Sequence, residues 1–233
     1  MNKLVGLPSP YTVRTQTKEK QMLLFTREIV TTGEMDKIMP IIQEAMAMAK
    51  AAGIPMSAYA GANGHVPGTI SFGAQYESTA ARAAAQAKLF NQAWFDLNRK
   101  ILSFVPQNLA QREDVMFNFV RGGNKVVEIP MGTVFNQTYF TLASSASFPK
   151  ALAWANEMAE ASKKATGSDP IVLSSVYGPL GIIGMMSAYE NFAQADEARA
   201  KALASAEWMP KFLEGGMFAM PGTIFQKQIV KIA

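Results

Sequence analysis

The chain has 233 residues, 49% of them hydrophobic and 17% charged, with a formal charge of +4 and no cysteine. This composition excludes a disordered chain, and the missing thiols exclude disulfides, cysteine nucleophiles and thiolate-bound metals. The basic residues are scattered among acids, no apolar run reaches the roughly 18 residues of a membrane span, and Met1 to Gln21 lacks a leader's apolar core. No nucleic-acid or membrane partner is therefore expected, and the cytoplasm is the default location.

After a polar N-terminal extension, residues 1–21, Met22 to Val30 is apolar with β-branched residues and reads as a strand. Thr31 and Glu34 have the spacing of a capping box. Met35, Ile38, Met39, Ile42, Met46 and Ala49 follow at helical spacing, and Gly53 closes that helix. Met56 to Ala62 and Thr69 to Tyr76 read as strands around the turn-rich Asn63 to Gly68. Ser78 is placed to cap one long helix to about Ser103, with Phe90, Trp94, Leu97 and Ile101 on one face. Val115 to Val120 reads as a fourth strand.

Arg121 to Lys125 is the best internal boundary. It divides the chain into a unit over 22–120, a linker over 121–133 and a second unit over 134–233. The second unit repeats the order. Val134 to Leu142 is a strand, a helix runs from near Ser147 to Gly167, and Ile171 to Tyr177 and Ile182 to Tyr189 are strands. A helix from Asn191 to Gly215, kinked at Pro210, and a last strand, Ile224 to Ile232, complete it. A shift of 113 positions places Tyr76-Glu77 on Tyr189-Glu190, Gly68 on Gly181 and Lys37 on Lys150, which points to an internal duplication.

The predicted class is α+β, with two tandem ferredoxin-like β-α-β-β-α-β units. Each unit has a bare sheet face, so the two antiparallel sheets are expected to pack face to face as a pseudo-dimeric α/β barrel. The order of elements, with Gln75-Tyr76-Glu77-Ser78 and Ala188-Tyr189-Glu190-Asn191 leading into Ala-rich helices, resembles the dimeric α/β-barrel superfamily. Its antibiotic-biosynthesis-monooxygenase-like and stress-responsive families are the ones meant. Many members carry a His early in that helix; here the stretch is Ala85-Gln86-Ala87-Lys88, so no role tied to that His transfers.

Strand alternation separates Ile70, Phe72, Ala74 and Tyr76 from Ser71, Gly73 and Gln75, and Val115, Phe117 and Phe119 from Asn118. If the apolar faces lie under helices, Ser71, Gln75 and Asn118 line the barrel. Tyr59 and the sole histidine, His65, then lie near its mouth, with His65 the one candidate for proton transfer. The facing wall, with Gly184, Met186 and Ala188, is less polar, which suits a small amphiphilic ligand. The expectation is a small-molecule enzyme or binder acting within the barrel, and the resemblance implies a cofactor-free monooxygenase-like or isomerase-like activity, with no cofactor and no metal. The alternative is a non-catalytic, oligomerising protein with a packed barrel. The apolar side chains on several faces of the long helix, Leu89, Phe90, Trp94 and Phe95, predict dimers.

Overall fold

The computed structural model describes residues 22–106, 113–123 and 128–233; the expected extension over 1–21 and part of the expected linker lie outside them. The first half runs β1 (Leu23–Val30), α1 (Met35–Ala51), β2 (Met56–Gly61), β3 (Thr69–Tyr76), α2 (Thr79–Leu89), α3 (Gln92–Leu102) and β4 (Glu113–Arg121). The second runs β5 (Val134–Thr141), α4 (Phe148–Thr166), β6 (Ile171–Tyr177), β7 (Ile182–Tyr189), α5 (Phe192–Ala204), α6 (Trp208–Glu214) and β8 (Phe225–Lys231). The eight strands close into one antiparallel barrel in the order β1-β3-β2-β8-β5-β7-β6-β4. The pairs β2·β8 and β4·β6 join the halves, so neither half leaves an open sheet edge. No described helix is long and apolar enough to cross a membrane.

Helices cover the outside because each strand sends alternate residues outward. In the first half Ile38 and Ile42 of α1 and Leu97 and Ile101 of α3 bury Ile29, Ala58, Ile70 and Phe72. In the second half Ala151, Trp154, Ala155 and Met158 of α4 bury Phe140, Val172, Ile183 and Met185. Each such large side chain contributes about 1.5–3 kcal/mol of burial. Trp154 packs edge-on against Phe140, and its indole N–H donates to the Lys211 carbonyl at 2.8 Å, tying α6 to α4.

Three local expectations are corrected. The single long helix is two, because the Asn91 side chain accepts from the Trp94 N–H at 3.0 Å and starts α3 afresh. The last helix likewise breaks at Ser205, whose hydroxyl accepts from the Trp208 N–H at 3.3 Å. Pro210 makes no kink; it sits in the first turn of α6, where a proline needs no donor. Thr31 and Glu34 form no capping box. Thr31 is buried and donates to the Gly68 carbonyl at 2.8 Å, holding the end of β1 to the β2–β3 connection.

The constant shift of 113 does not hold in the pairing registers. Leu24 faces Gln75, but the residues 113 further on, Gln137 and Ala188, are not partners; Gln137 faces Met186. Loop-length changes cost little, whereas an odd slip would turn a strand inside out. This slip is two residues, so the inward and outward faces survive it. Tyr76 and Tyr189 still end β3 and β7.

Candidate functional site

The barrel encloses a cavity of about 470 Å³. Its walls are the inward residues of the strands, among them Thr26 and Glu28 of β1, Ser57 and Tyr59 of β2, and Ser71 and Gln75 of β3. Phe117 and Phe119 of β4, Phe135, Gln137 and Tyr139 of β5, Met186 of β7 and Lys227 of β8 complete it. The rings meet in pairs. Tyr59 lies edge-on to Phe135 at 5.6 Å, and Tyr139 stacks on Phe117 at 5.9 Å.

Of the residues expected from alternation, Ser71 and Gln75 stand on the wall, and the Gln75 side-chain oxygen is buried with no hydrogen-bond partner; Tyr59, expected near the mouth, also lines the wall. Asn118 does not. It faces Leu23 and Ser174 across the ladders, on the outer side, while Val115, Phe117 and Phe119 point inward. The premise that apolar faces lie under helices fails for β4, because the barrel interior there is itself apolar: Val115, Phe117 and Phe119 pack with Leu24 and Leu173.

His65, expected near the cavity mouth, does not line the cavity. Its side chain is 1% exposed and lies against Gly61, where an added Cβ would stand 2.8 Å from the His65 Cβ. It is absent from the cavity wall, and its Nδ1 lies 3.6 Å from a Glu28 oxygen. That is an ion-pair distance rather than a hydrogen bond.

Several polar wall residues were not expected from sequence, among them Glu28, Gln137, Tyr139 and Lys227. The expected contrast of a polar first half and an apolar second half is corrected with them, since Gln137, Tyr139 and Lys227 come from the second half. The Lys227 ammonium lies 3.4 Å from the Glu28 carboxylate. Burial pushes the Glu28 carboxyl up, but His65 and the Lys227 charge together hold it below the usual glutamate range. Burial, reinforced by the negative charges of Glu28 and Glu113, pushes the Tyr139 hydroxyl well above its ordinary range. That hydroxyl donates to the Met186 sulfur at 3.3 Å, and the Gln137 amide nitrogen lies 3.8 Å from the same sulfur. The signal available in the sequence was a charged residue in each of two strands, Glu28 and Lys227, at a position whose neighbours two residues away, Thr26 and Ile229, point inward. Among the described residues no group of three or more His, Asp or Glu side chains is placed to hold a metal.

No family model matches the chain, and no curated protein matches it in sequence. Solved structures do match over nearly its whole length. An anthrone oxidase-like protein shares 12% identity over 92% of each chain, with a TM-score of 0.64. A candidate monooxygenase from Fusobacterium nucleatum shares 11% over 91% of this chain and 93% of that one, with a TM-score of 0.62. A second candidate monooxygenase, from Lactobacillus acidophilus, shares 8% over 91% and 94%, with a TM-score of 0.58. At such identities the likeness is one of fold, and it agrees with the closed eight-stranded ring: the chain has the α+β barrel fold of these proteins.

Proposed function

We propose that the chain is a small-molecule enzyme whose site is the barrel interior, acting on a ring-bearing amphiphile by cofactor-free, monooxygenase-like chemistry. The observation that carries this reading is a carboxylate, Glu28, on the wall of an otherwise largely aromatic and aliphatic cavity of about 470 Å³. That volume lies within the range of small-molecule sites, and a packed barrel would leave no such space. Glu28 is held ionised by Lys227 and His65. It is therefore always ready to accept a proton, but it is a weak base. Its substrate must be correspondingly acidic, such as a CH2 between aromatic rings and conjugated to a carbonyl.

Anthrone has that chemistry, and the names of the neighbouring folds support it as a probe. Glu28 takes a proton from the CH2, and the carbanion passes its electrons to dioxygen. One oxygen atom becomes the new carbonyl of anthraquinone, and the other leaves as water with the two hydrogens. One dioxygen is consumed per anthraquinone formed. The test is dioxygen uptake with anthrone. The wild type is expected to accelerate it, and Glu28→Gln to slow it about a hundredfold. Uptake at the protein-free rate overturns the enzymatic reading.

The same reading takes 22–120 and 134–233 as copies of one unit, joined by 121–133. It also includes self-association through α2 and α3. Phe90 and Phe95, whose rings lie 5.8 Å apart, are both half-exposed there, beside an exposed Leu102. Light scattering at micromolar concentration is expected to give a dimer mass, and a monomer mass overturns that part.

A further inference from the structure

Resting on the cavity reading above, we infer that the Gln137 amide and the Tyr139 hydroxyl form a docking point for the carbonyl oxygen of an aromatic ketone. In this structure the Met186 sulfur stands where that oxygen binds. Gln137 and Tyr139 are two apart on β5, so strand alternation sends both side chains inward. Both aim at one atom, the Met186 sulfur, at 3.8 and 3.3 Å. A thioether is a weak acceptor. Two good donors in the barrel thus share a poor partner, and an unmatched buried donor is costly. A carbonyl oxygen has two lone pairs and satisfies both. Met186 is unbranched and adaptable, so its side chain can yield the position.

Packing aims the Tyr139 hydroxyl. Its ring crosses Gly184 on β7, where an added Cβ would lie 2.5 Å from the ring, and its other support is Phe117. Nothing larger than glycine fits at 184 with the ring in place. The hydroxyl stays protonated, and so remains a donor, because burial and the nearby charges of Glu28 and Glu113 oppose its ionisation. The Gln137 amide and the Tyr139 hydroxyl are both neutral donors, which suits the neutral carbonyl oxygen of a ketone. The aromatic walls, Tyr59, Phe117, Phe119 and Phe135, favour a flat ring system around that ketone.

The test uses fluorenone and fluorene, which share a shape and differ in one carbonyl; neither needs to react. Equilibrium dialysis of the full chain is expected to show fluorenone bound about tenfold more tightly than fluorene. Tyr139→Phe and Gln137→Leu are each expected to lower that preference and together to abolish it, with fluorene affinity unchanged. Met186→Leu keeps the preference. The infrared carbonyl band of bound fluorenone lies lower in the wild type than in Tyr139→Phe. Equal affinity of the wild type for the two ligands, or a preference that survives in the double variant, overturns the docking point while leaving the cavity reading standing. If neither ligand binds, both fall.

Discussion

Across the β1·β3 ladder Glu28 faces Ser71, and across the β5·β7 ladder Tyr139 faces Gly184, which is 113 residues after Ser71. In each half, then, a long side chain on one strand reaches inward, and a small residue on the next strand leaves it room. In the first half the long side chain is a carboxylate, and in the second a phenol. The comparison teaches that the barrel fixes size and parity at these positions and leaves the chemistry open. The two halves share a frame, but the walls they build differ: Glu28, Glu113 and Arg27 stand on one side, and Gln137, Tyr139 and Lys227 on the other.

The largest expected effects lie in the helix layers, where the halves also differ. The second half leans on one indole, whose ring meets Phe140 and Phe218 and leaves Gly215 no room for a side chain. The first half spreads its burial over Ile38, Ile42, Leu97 and Ile101. Trp154→Ala is expected to lose about 3–5 kcal/mol in urea unfolding, and Ile42→Val only about 0.5–1.5 kcal/mol. Equal losses would show that the two layers are held alike.

A pair of glycines sharpens the contrast inside the barrel. Gly184→Ala drives a methyl into the Tyr139 ring and is expected to cost about 1–3 kcal/mol. At Gly73 an added Cβ meets only Tyr59, at an ordinary 3.5 Å. Gly73→Ala is therefore expected to stabilise the chain by about 0.5–1 kcal/mol, since alanine loses less freedom in a strand. The same sign for both substitutions would refute the close packing assigned to Tyr139.

Titration separates the halves with smaller effects. Glu28 is lowered in the folded chain, so its contribution is full above the ordinary 4.5 and is lost as pH falls through the lower native value. Tyr139 is raised, so its contribution is full below the ordinary 10.0 and is lost as pH rises beyond it. Each limb changes by at most about 1.4 kcal/mol per pH unit. Glu28→Gln is expected to flatten the acid limb alone, and Tyr139→Phe the alkaline limb alone, in stability measured against pH.

The order of elements and the closure of the barrel were legible because alternation and helical spacing are strong in this chain. Ser71 and Gln75 were legible because β3 sets small and polar residues squarely against Ile70, Phe72 and Tyr76. β4 offered no such contrast. Met116 and Val120 share a face with Asn118, and Val115, Phe117 and Phe119 take the other, so both faces are apolar enough to be buried. Glu28 and Lys227 were not legible because a charge in a strand reads as solvent-facing, and each shares its strand with another charge, Arg27 or Lys231; only closure of the ring turns these two inward. The helix breaks at Asn91 and Ser205 were hidden because each cap sits within a continuous helical pattern. The Gln137–Tyr139–Met186 convergence depends on the β5·β7 register, which the constant shift of 113 misplaces by two residues.

The most direct test of the central claim, that the barrel interior is a ligand site, is equilibrium dialysis of anthrone against the wild type and Gly73→Leu. This substitution fills the cavity from a wall position without removing any polar group. The account predicts saturable binding of one anthrone per wild-type chain, weakened at least about tenfold in Gly73→Leu with its melting temperature preserved. Equal affinity of the two proteins, or no saturable binding by the wild type, would contradict it.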